Sequence, residues 1–222
     1  MKYFLIILAV LGLFFLSMFG WVSVKYRLTM TVDTPDGPRT GSVVRREGYG
    51  FTGLPSEIGG GHKWNTQGEA LVLDLGGGKY VFALLSTSLA AGSFDAAGRL
   101  ADWRGSPPNF YYAFLGLKWF TYGSVPVPAH KMPLLVSFAD INDPASVFRV
   151  DPKDMAASLG EGYALRDMQV EITWARMTEG RVEEVLGWLG QYPELPLLPK
   201  VDPHDFSFAA KMRQGQFIRR PN

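Results

Sequence analysis

The sequence predicts an α+β protein, with an N-terminal transmembrane helix followed by one mostly antiparallel β-sheet domain with a few short helices. Three observations carry that expectation. Residues 3–24, YFLIILAVLGLFFLSMFGWVSV, contain no charged side chain, and about 20 apolar residues of helix cross a bilayer core about 30 Å thick. Two stretches, from Val24 and from Met168, alternate apolar and polar residues as half-buried strands do. Turn residues recur between short β-rich runs, while helix signals stay brief.

The uncharged run reads as an uncleaved anchor. A secretory signal would have an apolar core of about 7 to 15 residues and small residues before the cut. Gly20 is small, but Met18 would occupy the other small-residue position, and a cut after Ser23 would put Trp21 there. Trp21 suits the membrane interface, where indole rings concentrate. Lys2 flanks one end of the run and Lys25, Arg27 and Arg39 the other. Counted bluntly, this favours a cytoplasmic domain. Lys25 and Arg27 are also explained as the polar face of a strand, and the expected topology keeps the amino terminus inside and the domain outside the cytoplasm.

Val24, Tyr26, Leu28, Met30 and Val32 point one way, and Lys25, Arg27, Thr29, Thr31 and Asp33 the other. Turn residues Pro35, Asp36 and Gly37 lead into a returning strand, Gly41 to Glu47. Gly48 to Gly68, glycine-rich and interrupted by Pro55, is expected to be a loop. Glu69–Leu75 and Lys79–Leu85 form a hairpin around Gly76, Gly77 and Gly78. Ser86 to Pro108 reads as a long excursion. In 109–122, Phe110, Tyr111, Tyr112, Phe114, Trp119, Phe120 and Tyr122 make a dense aromatic segment. It is too short to span a bilayer and is expected to be buried or to lie in the membrane interface, the one candidate ligand or interface site.

Met132–Ala139 and Ser146–Val150 read as strands about the turn 140–144. Asp151, Pro152 and Asp154 open a helix that Gly160 ends. Met168, Val170, Ile172 and Trp174 alternate with polar residues in the second long strand. Val182, Val185, Leu186 and Leu189 recur at helical spacing up to Gly190. Four prolines from Pro193 to Pro203 make an extended connector, and Asp205–Arg213 a last helix. The expected division is an anchor (1–24), a β-rich globular domain (25–192), and a proline-rich connector with a short C-terminal helix packed on or trailing the domain (193–222).

Composition narrows the function. About 198 residues beyond the anchor suffice for one well-filled domain or two small ones, and one is expected. A net charge of +1 gives no electrostatic footprint for nucleic acid. Without cysteine there is no disulfide, thiol nucleophile or thiolate metal site.

The segments YRLTMTVDTPDGPRTGS (26–42), GEALVLDLGGGKYVFALL (68–85), PLLVSFADINDPASVFRVDP (133–152), GYALRDMQVEIT (162–173) and FSFAAKMRQGQF (206–217) resemble a group of uncharacterised proteobacterial envelope proteins. The resemblance covers most of the domain but rests on strands and turns, and it carries over no catalytic residue. It implies an amino-terminal signal or anchor and one periplasmic domain.

Motifs add little chemistry. Gly76–Lys79 fails the phosphate-loop spacing, because Leu73 stands at the first glycine and Tyr80 where a hydroxyl would bind magnesium. Gly59, Gly60, Gly61, His62 and Lys63 read as a surface loop. Asp202, His204 and Asp205 are explained by prolines and capping, and Asp140, Asn142 and Asp143 by a turn, since Pro144 and Ala145 break a calcium loop. No serine has the glycines of a nucleophile elbow, although a triad of distant residues is defined by geometry and not by spacing. Glu183 and Glu184 read as solvated helix surface. No catalytic residue, metal ligand or cofactor is assigned. The expected function is a single-pass inner-membrane-anchored envelope protein, attached through 3–24, with a periplasmic protein-binding or accessory role and a protein partner in the envelope. The alternatives are a small-molecule or lipid-binding domain using 110–122, and a hydrolase with dispersed residues.

Overall fold

The computed structural model describes residues 3–4, 6–8, 10–12, 21–52, 61–87, 123–127, 132–190, 195–198, 204–205 and 207–220. In chain order the strands are β1 (Trp21–Thr34), β2 (Gly37–Thr52), β3 (Gly61–Glu69), β4 (Leu71–Gly76), β5 (Lys79–Ala83), β6 (Ser124–Pro126), β7 (Leu135–Phe138), β8 (Val147–Val150), β9 (Ala164–Ile172) and β10 (Ile218–Arg219). The helices are short: α1 (Ala156–Leu159), α2 (Arg181–Val185) and α3 (Phe208–Lys211). The expected mostly antiparallel, β-rich domain with few short helices is what forms.

Every strand pairing is antiparallel. Six strands make one sheet in the order β10-β3-β2-β1-β9-β6, and four make a second in the order β4-β5-β7-β8. The first hairpin turns at Pro35 and Asp36, with Thr34 paired to Gly37 and the Thr34 hydroxyl donating to the Gly37 carbonyl at 2.7 Å. Proline fixes φ at the second position of such a turn. The second hairpin turns at Gly77 and Gly78, whose φ of 61° and 77° a type I′ turn requires.

The sheets pack face to face. From β1, Val24, Tyr26, Leu28, Met30 and Val32 are no more than 2% exposed and meet Leu71, Leu73, Val81, Ala83 and Leu135 of the second sheet. Each such burial is worth roughly 2 kcal/mol, so one strand face supplies on the order of 10 kcal/mol before chain entropy is set against it. At Gly41 the sheets lie close: a Cβ there would stand 3.1 Å from Leu73 Cδ1 and 3.2 Å from the Val72 carbonyl oxygen.

A third layer covers the other face of the second sheet. Phe82, Leu84, Val136, Phe138 and Val147 pack against Val182, Leu186 and Leu189 and against Leu197, Met212 and Phe217. The second sheet is therefore covered on both sides, and all four residues of β7 are buried. The consecutive apolar runs at 81–85 and 134–136 follow from that double burial. The Phe217 ring stands edge-on to Phe82 at 5.9 Å, and the C-terminal stretch is built into this core.

Several boundaries differ from expectation. Gly48–Thr52 and Gly61–Gly68 are strand, not loop, with Glu47 opposite Thr66 and Gly50 opposite Lys63. Glycine lowers strand propensity, but pairing to a long hairpin overrides a preference of roughly 0.5–1 kcal/mol per glycine. β1 begins at Trp21, so residues 21–24 belong to the sheet and pair with 47–50. Among the described residues no helix is long and apolar enough to cross a membrane. The helix expected from Pro152 is only α1, because Asp151 closes a turn by accepting from the Lys153 amide and Asp154 accepts from the Ala157 amide. The helix expected to run to Leu189 ends at Val185. The last one is capped by Ser207, which accepts from the Ala210 amide, and not by Asp205.

Candidate functional site

Charged residues occupy the inner face of the first sheet near its β3 side. Arg45 lies directly opposite Tyr26, and Glu47 lies opposite Val24 on one side and Thr66 on the other. Alternation on β2 therefore sends Arg45 and Glu47 into the same interior as Tyr26, and Arg45, Glu47 and Thr66 are fully buried. Each guanidinium nitrogen of Arg45 already has an acceptor: Nε donates to the Glu69 carbonyl at 2.8 Å, Nη1 to Leu84 at 3.2 Å and Nη2 to Ala83 at 2.6 Å. Those carbonyls belong to the chain where it leaves β3 and to the end of β5, so Arg45 ties one sheet to the other.

Burial lowers the Arg45 pKa from its ordinary value, and Tyr26 and the Glu69 carboxylate oppose that by favouring the charged form. Arginine stays protonated through any such shift. Gly68 makes room for it. A Cβ there would stand 3.2 Å from Arg45 Cγ and 3.3 Å from its Cα, on a backbone with φ of +127°.

Glu69 links the same point to the third layer. Its Oε2 accepts from the Val182 amide at 3.5 Å, at the start of α2. Burial raises its pKa, opposed by the amides of Val182, Gly180 and Arg181. Among the described residues, Thr66 Oγ1 and Ser86 Oγ are buried without a hydrogen-bond partner. The chemistry of this cluster is structural: its strongest donors are spent on backbone carbonyls within the protein.

A second constellation is open to solvent. On the outer face of the first sheet Lys25 stands directly opposite Arg46, and a cleft of about 190 Å³ is lined by Ser23, Val24, Lys25, Arg46, Ile172, Thr173 and Trp174. Trp174 is 66% exposed. Lys25 Nζ donates to the Trp174 and Ala175 carbonyls at 3.2 and 2.8 Å, which places the ammonium at the floor of the cleft. The next cation along β1, Arg27, is instead paired with Glu171 at 2.7 Å. A second hollow, of about 280 Å³, lies between Met132–Leu135 and Arg149–Lys153.

The aromatic segment containing Phe110, Tyr111, Tyr112, Phe114, Trp119, Phe120 and Tyr122 lies outside the described residues, as do Gly59, Gly60, His130 and Asp202. Gly61, His62 and Lys63, expected in a loop, are part of β3. Asp140 and Asp143 accept from the Asn142 and Ala145 amides, the geometry of the expected turn. Among the described residues no group of three or more acidic or histidine side chains is arranged to hold a metal ion. Glu183, read as solvated, is partly buried and pairs with Arg220.

Arg45, Glu47 and the pair Lys25–Arg46 were not singled out by motif. Their signal is register. A two-residue turn at Pro35 and Asp36 fixes which β2 residue faces which β1 residue, placing a charge opposite buried Tyr26 and a second cation opposite Lys25. Comparison with protein-family models, with curated proteins and with solved structures finds no match.

Proposed function

We propose that the chain is a single-pass, inner-membrane-anchored envelope protein whose periplasmic β-domain has a protein-binding or accessory role. The observation that carries this reading is the apolar stretch before β1. Its described residues are helical, and Tyr3, Phe4, Ile6, Ile7, Leu8, Val10 and Leu11 are between 51% and 81% exposed. Apolar surface left in water is unfavourable by about 25 cal/mol per Å², and a bilayer removes that penalty. An uncharged apolar run of this kind suits a bilayer core about 30 Å thick. β1 begins at Trp21, so the sequence leaves little chain between the apolar run and the domain. The resemblance to envelope proteins supports the periplasmic side.

Protease treatment of intact spheroplasts tests the placement. Digestion of everything after Val24, with the N-terminal fragment staying in the membrane after alkaline carbonate, is the expected result. Protection of the domain while control periplasmic proteins are degraded would put it in the cytoplasm and overturn the topology. For the accessory role, recovery of this chain alone from membranes in several mild detergents would count against a stable partner.

A further inference from the structure

We propose that the cleft between Lys25, Arg46 and Trp174 binds the phosphate of an anionic phospholipid headgroup. This rests on the reading of the N-terminal stretch as a membrane segment. Lys25 and Arg46 are cross-strand neighbours, and like charges so placed destabilise a sheet. An anion seated between them would offset that repulsion. Arg27, two residues further along, has its carboxylate partner in Glu171, whereas Arg46 has no ion-pair partner among the described residues. The two cations therefore face a solvent-open cleft of about 190 Å³.

Position and composition select the ligand's source. Lys25 is four residues along β1 from Trp21, roughly 13 Å of strand, so the cleft opens at the end of the sheet from which the apolar stretch departs. Trp174 forms one wall and is 66% exposed, and indole rings favour the headgroup zone, where one side is apolar and the other wet. Two cations with a hydroxyl from Ser23 or Thr173 suit a phosphodiester oxygen, and the ring suits the glycerol and upper acyl region.

The experiment uses the full chain in nonionic detergent micelles, with native mass spectrometry counting lipids retained as phosphatidylglycerol or phosphatidylcholine is added. Retention of one phosphatidylglycerol in preference to phosphatidylcholine is expected. Arg46→Gln is expected to weaken it about fivefold, the effect of one basic charge near an anionic surface, and Trp174→Ala to weaken it without abolishing the charge preference. Equal retention of both lipids, or the same preference in both variants, would overturn the proposal. So would displacement of phosphatidylglycerol by equimolar inorganic phosphate, which would assign the cleft to a soluble anion. Circular dichroism confirms that the variants are folded. Carbonate extraction of native membranes reports separately on the anchor, so release there sinks the tether and leaves the headgroup result to be read from the micelles.

Discussion

Replacing Arg45 by methionine tests whether the guanidinium holds the two sheets together. The substitution keeps an unbranched side chain of similar length and removes every donor. Three carbonyls, those of Glu69, Leu84 and Ala83, each lose a charged donor in a site without water access, at about 1–3 kcal/mol apiece. Part is returned, because methionine packs well and no charge need then be desolvated. A net loss of about 3 kcal/mol is expected. For a chain of this length each kcal/mol moves the melting midpoint by about 2–4 °C, so Arg45→Met should melt about 6–12 °C below the parent protein. Arg45→Lys keeps the charge but concentrates its donors on one nitrogen, which cannot reach three divergent carbonyls, and a loss of about 2 kcal/mol is expected. The assay is thermal and urea unfolding of the full chain in nonionic micelles, followed by circular dichroism. An Arg45→Met protein melting within 2 °C of the parent would refute the reasoning, because the ion's burial would then offset all that its hydrogen bonds contribute.

Gly68→Ala should lose about 2 kcal/mol, since the new Cβ meets Arg45 Cγ and Cα on a backbone of φ +127°, and the loss should persist in an Arg45→Met background, because methionine keeps those atoms; a double-mutant cycle measures it. Phe217→Ala removes a fully buried ring that packs on Phe82 and Phe138, and a loss of about 3–5 kcal/mol in urea is expected; a loss below 1 kcal/mol would show the C-terminal stretch to be separable from the core. Glu69 supplies a pH dependence. Its folded pKa is raised by burial, so below the ordinary carboxylate range both states are protonated and nothing is lost. As pH climbs from there through the raised value the unfolded chain ionises first, and stability falls until the folded carboxyl has ionised too. Glu69→Gln should flatten that decline between pH 4 and 8 while retaining an oxygen for the Val182 amide. An unchanged slope would assign the dependence to other groups.

The long hairpin was legible because two independent signals agreed there. Period-two alternation from Val24 sorted the faces, and Thr34–Gly37 fixed the turn. The same signals fail over 48–68, where glycines suppress propensity and alternation is weak. What makes Gly61–Glu69 a strand is the edge offered by β2, a tertiary fact that local pattern does not carry. Helix ends were overextended for a related reason. Asp151 and Asp205 each bind an amide two residues on, closing turns before any helix begins, and capping chemistry in sequence does not distinguish a turn from a first helical turn. The buried charges were present in the register but not in any motif, since Val43-Val44-Arg45-Arg46-Glu47 does not alternate and leaves its faces unsorted until its partner is fixed.

Arg45 stands where it does because of how the chain changes sheets. Only Ala70 separates β3 from β4, and the Ala70 amide donates to the Phe217 carbonyl at 2.6 Å. The Glu69 carbonyl at that corner, with Ala83 and Leu84 at the end of β5, turns toward the interior, where a buried carbonyl without a donor is unfavourable by a kcal/mol or more. A donor has to come from the facing sheet, and a planar fork with several N–H groups can reach all three at once. The cost of that choice is burial of the guanidinium, opposed by Tyr26 and the Glu69 carboxylate, which favour its charged form. Because Glu69 also meets the start of α2, one corner fixes both sheets and the third layer relative to β1. The outer face of β1, with Lys25 beside Arg46, takes no part in that joint. There Lys25 holds the Trp174 and Ala175 carbonyls, and Arg46, set against it on β2, is the cation that the proposed headgroup would engage.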